Sequence, residues 1–201
     1  MVELGALSIG DDPELWESLG FTVEGDTCHI SGVGHVLGGS NKGLLDWGLR
    51  GIEVTDVDGL KVGMSTSPPQ PTPKHANGVI GFDHLVMTSS NMTRTISEFE
   101  ALGIECRRIR DAGRGLQQAF FRLGEVILEL VGPAEGVGDG PPSLMGLAYT
   151  VSELAATADY LGDRLRPAKD AVQSGRQIAT LDWSAGSSVP IAFMSPDPRD
   201  G

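Results

Sequence analysis

The chain has 201 residues, 40% hydrophobic and 21% charged, which supports one large or two small globular domains whose core needs no covalent staples. Its formal net charge of −12 argues against sequence-independent nucleic-acid binding, where Lys and Arg must neutralise phosphates. Two cysteines, Cys28 and Cys106, do not make a disulfide framework, so a reducing compartment is expected.

In chain order, Met1 to Gly5 has neither the basic start nor the apolar run of a signal peptide. No later window approaches the roughly 18 apolar residues of a membrane helix. The cytoplasm is the expected address, with neither membrane nor nucleic acid as partner. A strand is predicted over 4–9. Asp11-Asp12-Pro13-Glu14 then opens a short helix, with Asp11 and Glu14 spaced as a capping box. Residues 27–37 read as a strand in which His29 and His35, an even interval apart, face one way. This first part, 1–64, ends at a linker, 65–77, where four prolines in six positions (68–73) deny the backbone its donors.

The second part, 78–132, opens with Val79-Ile80-Gly81-Phe82-Asp83-His84-Leu85-Val86-Met87, a strand. Thr88-Ser89-Ser90-Asn91 offers a helix cap, and Met92, Ile96, Phe99 and Leu102 share one helical face. Gly103 ends the helix. Strands are predicted over 104–109, 117–122 and 126–131, with a tight turn at Leu123-Gly124-Glu125. The order is β-α-β-β-β. A Gly/Pro linker, 133–142, follows. The third part, 143–196, repeats the order, with strands at 144–151, 178–183 and 189–194 and a helix carrying Leu154, Ala158, Leu161 and Leu165 on one side.

The helix ends align as Ser18-Leu19-Gly20-Phe21, Ala101-Leu102-Gly103-Ile104 and Tyr160-Leu161-Gly162-Asp163. Because the flanking strands agree in type and order, we read repeated βαβββ units, the first a degenerate copy, in an α+β protein. Units pairing into an open curved mixed sheet would form a cup. Three units do not pair evenly within one chain, so a homodimer is expected.

The run Gly81-Phe82-Asp83-His84-Leu85-Val86, the helix ending in Ala101-Leu102-Gly103, and Gly124-Glu125-Val126-Ile127-Leu128-Glu129-Leu130 resemble one half of a domain of the glyoxalase/bleomycin-resistance/dioxygenase (vicinal oxygen chelate) superfamily. The resemblance implies two βαβββ units curled around a divalent metal (Fe, Mn, Ni or Zn) held by first and last strands. It places His84 and Glu129 on ligand positions, with Glu129 also the candidate catalytic base. The third unit departs from the pattern: Gly146 and Ala192 stand at the matching positions and offer no side-chain ligand. Asp46 lies as far after Gly20 as Glu129 after Gly103, so Asp46 is a third candidate metal ligand. His29 and His35 can contribute, as can a second subunit. The bland reading keeps a metal-free cup, with His84 hydrogen-bonded to a neighbouring carboxylate such as Asp83.

Gln173 and Arg176 bracket the turn glycine Gly175 and are candidate ligand-binding residues; Arg176 either pairs with a ligand anion or pins the turn. Gln118 is a further candidate, and Trp183 and Tyr149 are weaker ones. Arg107-Arg108-Ile109-Arg110 reads as a charged strand edge, with a small anionic ligand as the alternative. A nucleophile elbow, a Cys-x-x-Cys pair and a dinucleotide fingerprint are all absent from the sequence. Two functions remain: a cup that binds a small molecule, or a metal-dependent lyase, isomerase or dioxygenase acting on vicinal oxygens.

Overall fold

In the computed structural model, residues 1–198 are described. Strand β1 (Glu3–Ile9) leads through helix α1 (Pro13–Ser18) to β2 (Thr27–Ile30), β3 (Val33–Val36) and β4 (Leu44–Arg50). The two-residue strands β5 (Asp56–Val57), β6 (Leu60–Lys61) and β7 (Gly63–Met64) close this part. After the proline-rich segment come β8 (Val79–Thr88), α2 (Met92–Ala101), β9 (Arg108–Gly113), β10 (Leu116–Leu123) and β11 (Val126–Pro133). The last part holds β12 (Ser143–Val151), α3 (Leu154–Leu161), β13 (Lys169–Asp170), β14 (Gln177–Thr180) and β15 (Ile191–Met194).

Helix α2 begins where the Asn91 side chain accepts from the Arg94 amide, and Gly103, at φ +77°, ends it. Strand β9 starts later than expected, because residues 104–107 run as a loop that buries Ile104. Strand β14 stops at Thr180; Trp183 sits in a 3-10 turn and is 63% exposed. The short β13 carried too little pattern to read from sequence.

One eight-stranded sheet, in the order β13-β14-β15-β12-β8-β11-β10-β9, dominates the molecule. Each half repeats one topology: β8 lies parallel to β11, and β12 parallel to β15. The halves join edge to edge through antiparallel β8 and β12, where Leu85 faces Leu147. The sheet is mixed and curls into an open half-barrel, so the α+β expectation of paired βαβββ units holds.

The first 64 residues keep the β-α-β-β-β chain order through β4 but pair their strands differently. Strand β3 runs parallel to β1, but β4 runs antiparallel along the other edge of β1, giving a separate five-stranded sheet β2-β3-β1-β4-β7. The stretch expected as one strand is a hairpin, reversed at Ser31 and Gly32, both at positive φ. His29 and His35 therefore stand on opposite arms. His35 faces Cys28 across the ladder, so it shares that residue's buried side while His29 takes the other.

This sheet packs on the back of the cup. Trp16, Phe21 and His35 meet Tyr149 with ring centroids 6.4, 5.4 and 5.7 Å apart, and Trp47 meets Phe99 at 6.3 Å. A single apolar cluster runs through all three parts. Asp11 forms no capping box; Asp12 is the N-cap of α1 without a side-chain bond. The fully buried Asp11 carboxylate instead accepts from Ser187 Oγ (2.7 Å), Ser188 N (2.8 Å) and Ser188 Oγ (2.6 Å), tying the first sheet to the third part. The proline-rich segment is strapped down as well, by Thr72 Oγ1 accepting from Ser31 N and His75 Nδ1 from Thr22 N, each at 2.9 Å. The first part buries its apolar face against the other two parts within the chain. Among the described residues no helix is long and apolar enough to cross a membrane.

His35 lies fully buried among Trp16, Phe82 and Tyr149. Burial pulls its imidazole down to about 4, against the smaller opposing effect of a bond to the Cys28 carbonyl. The unfolded chain binds this proton near pH 6.5 and the folded chain does not, so stability is full above that pH and is lost as pH falls toward 4. Urea unfolding is expected to lose about 2 kcal/mol between pH 7 and pH 5, with His35→Gln flattening that slope. An equal slope in the variant would contradict the assignment.

Candidate functional site

The concave face encloses a cup of about 1300 Å³. Alternation along each strand sends His84 and Val86 from β8, Ile127, Glu129 and Val131 from β11, and Gln118, Phe120 and Arg122 from β10 into it. Leu85, Leu128 and Ala119 point to the core. From the other half, Gly146, Ala148, Ala192, Met194, Ile178 and Thr180 line the wall. The β8–β11 half carries most of the basic side chains and Glu129; the β12–β15 half is mainly small and apolar, with Lys169, Asp170 and Gln173 at its rim strand and turn.

The strict period of two fails at Asp83, one of three irregularities in the β8–β12 ladder. Phe82 pairs with Tyr149 and His84 with Ala148, so β8 spends an extra residue there, a β-bulge. Phe82 stays in the core while Asp83 and His84 turn together. Asp83 Oδ1 lies 2.9 Å from His84 Nδ1, and His84 Nε2 lies 3.4 Å from Glu129 Oε2. The Gln118 amide donates to Glu129 Oε1, and Arg110 Nε donates to Gln118 Oε1 at 2.6 Å. On the far side, Arg176 Nη2 reaches Asp83 Oδ2 at 2.6 Å and the Thr150 hydroxyl donates to the same oxygen at 3.0 Å.

A relay thus crosses the cup floor as Arg110–Gln118–Glu129–His84–Asp83–Arg176. Its two guanidiniums and two carboxylates balance, which offsets the cost of partly removing these charges from water, Arg176 most completely. Burial alone would raise the Asp83 carboxyl; hydrogen bonds from His84 and Arg176, with their charges, outweigh it and hold Asp83 at about 2. Chemically, the floor presents one carboxylate, Glu129, backed by an imidazole that is itself oriented by Asp83. Such a group can hold or accept a proton.

Several expectations are corrected here. Arg176 does not present its guanidinium to the cup: it is 6% exposed and committed to Asp83, Thr150 and the Ser195 carbonyl, pinning the turn. Tyr149 belongs to the core, and Trp183 lies outside the cup lining. Asp46 is on β4 of the other sheet, exposed, paired in register with Ser8, and does not join His84 and Glu129. Gln173 and Gln118 do line the cup. Phe120 and Thr150 were not singled out by motif. Arg110 belongs to the run read as a charged strand edge or anion site, and the Asp83-His84 adjacency hinted at Asp83.

The donors do not fit the metal centre that the family resemblance implies. Leu85 and Leu147 face each other at the centre of the β8–β12 ladder, and Leu128 and Ile191 are their partners on the last strands. One step from these, His84 corresponds to Gly146 and Glu129 to Ala192, so the second half supplies no ligand. Pro190 also crowds Gly146, where an added Cβ would meet its carbonyl at 3.2 Å. Among the described residues no group of three His, Cys, Asp or Glu is placed to hold a metal ion.

No protein-family profile matches this sequence, and no curated protein matches it. Among solved structures the chain is similar to methylmalonyl-CoA epimerase from Mycobacterium tuberculosis, at 20% identity and TM-score 0.50, covering 61% of this chain and 91% of that one. It is also similar to a Streptomyces coelicolor methylmalonyl-CoA epimerase in complex with 2-nitronate-propionyl-CoA, at 15% identity and TM-score 0.49, covering 60% and 96%. A hypothetical protein from Bacillus halodurans C-125 matches at 16% identity and TM-score 0.48, covering 58% and 94%.

Asp83→Asn leaves Arg176 buried without its counter-charge. It is expected to lower stability at pH 7 by about 3 kcal/mol. Because the folded pKa of Asp83 is depressed from 3.8 to about 2, its contribution is full above pH 4 and is lost as pH falls toward 2. The gap between wild type and variant in denaturant titrations should close over that window; a gap independent of pH would show that Asp83 is not ionised in the fold.

Proposed function

We propose that this chain, which has the glyoxalase-like fold of the vicinal oxygen chelate superfamily, binds a small molecule in the cup between its two βαβββ repeats. The observation that carries this reading is the cup's division into two walls. A cavity of about 1300 Å³ is of a size to hold a small ligand. One wall offers side chains held in place by one another, and the other offers Ala148, Ala192, Ile178 and Met194 against which an apolar body can pack. The Mycobacterium tuberculosis neighbour, named as an epimerase of methylmalonyl-CoA, supports a small-molecule cup at the level of the fold.

Glu129, Gln118 and Gln173 are the ligand-facing polar residues of this reading, and Arg176 and Asp83 act behind them as positioning residues. His84 and Glu129 orient the ligand rather than coordinate a metal.

The neutral dye Nile red serves as a probe of the apolar wall. It is expected to bind saturably at one site, and Ala192→Trp, which fills the cup from β15, should weaken it at least about tenfold, a change near 1.4 kcal/mol. Unchanged binding in the variant would place the dye elsewhere and overturn the reading. Loading with Fe, Mn, Ni or Zn followed by desalting is expected to leave no stoichiometric ion. One ion per chain that disappears in His84→Ala would replace the proposal with a metal centre.

A further inference from the structure

We infer that the cup is built for an organic anion, a carboxylate or a phosphate ester carrying an apolar body, with Arg110 and Arg108 as its seat. This rests on the cup being a binding site and names the class of its ligand.

The distribution of charge is the first argument. The chain has 15 Lys and Arg against 27 Asp and Glu, yet the cup lining holds Arg107, Arg108, Arg110, Arg122 and Lys169 and only two carboxylates, Glu129 and Asp170. A third of the basic residues thus gather on one cavity of an acidic protein. Walls of low dielectric focus that field and draw anions in.

The second argument is the state of the arginines. Arg110 Nε is fixed by Gln118 at 2.6 Å, and its guanidinium lies over the Phe120 ring at 5.4 Å from the centroid. With Nε and the ring face engaged, the Nη edge is left for a planar, two-oxygen partner, and its orientation is set before the ligand arrives. Arg108 stands two residues earlier on the same face of β9, opposite Phe120. Its guanidinium has no hydrogen-bond or ion-pair partner among the described residues. Glu129 does not touch Arg110, since Gln118 stands between them, so the Nη edge of Arg110 stays open toward the cup.

A second hollow, of about 830 Å³, beside the proline-rich segment shares Arg107 and Arg122 with the cup, but neither Arg110 nor Arg108 lines it; its own cation, Arg50, is engaged by the carbonyls of Leu4, Gly32 and Ser67.

The experiment is calorimetric titration of the full chain with four probes of equal length, namely octanoate, octyl phosphate, octan-1-ol and octylammonium. Octanoate or octyl phosphate is expected to bind at least about tenfold tighter than octanol and to displace Nile red; the tighter of the two identifies the headgroup. Octylammonium should bind no better than octanol. The anion's advantage should fall when salt is raised from about 50 to about 300 mM. Arg110→Gln and, separately, the exposed Arg108→Gln should each bring the octanoate-to-octanol ratio toward one, and Arg110→Lys should restore it only in part. Equal binding of octanol and octanoate, both displacing Nile red, would overturn the anion class while leaving the cup intact. If Nile red binding survives Ala192→Trp, the cup reading itself fails.

Discussion

The antiparallel ladder between β8 and β12 is the constraint from which the site follows. Each repeat is a half-sheet with an open edge at its first strand, and the two edges satisfy one another's backbone donors and acceptors. A slip of one residue in that ladder would exchange the faces of an entire strand, sending His84 into the core and Leu85 into the cup. The apolar set Leu85, Met87 and Leu147, all buried, fixes the register. Everything on the concave face is then placed by period-two geometry, except where a bulge intervenes.

That exception concentrates the chemistry. The bulge at Asp83 places an acid and a histidine together, and only there can one carboxylate touch both the imidazole of its own half and the guanidinium of the other. Asp83 therefore joins the two repeats electrostatically as β8 and β12 join them by backbone bonds. Charge balance along the relay holds Glu129 on the cup floor through Gln118 and His84. The opposite wall, with Gly146 and Ala192 where a symmetrical metal site would need ligands, is shaped for contact rather than coordination.

The N-terminal sheet explains how a curled sheet of this size is kept out of water on its outer side. Helices α2 and α3 cover part of that surface, and Trp16, Phe21, Trp47 and His35 cover more of it. The buried Asp11 carboxylate, bonded to Ser187 and Ser188, supplies the polar specificity of that contact. In the first 64 residues β4 lies antiparallel beside β1, so the edge of that first strand is paired within its own sheet.

Local pattern was enough to read the two repeats, their strand order and the cup-facing places of His84, Glu129 and Gln118, because alternation and helix caps are written within a few residues of one another. The same pattern gave Gly146 and Ala192 as positions without ligands. It misplaced Asp46 and the two first-part histidines, and left Arg176 open between a ligand and the turn, since spacing along the chain says nothing about which sheet a strand joins or where a hairpin turns. The direction of β4, the bulge at Asp83 and the commitment of Arg176 to that carboxylate are all set by partners distant in sequence. Residue order determined the elements and their faces; pairing between remote edges decided which side chains meet, because hydrogen-bond ladders and buried charges select their partners only once the chain has closed on itself.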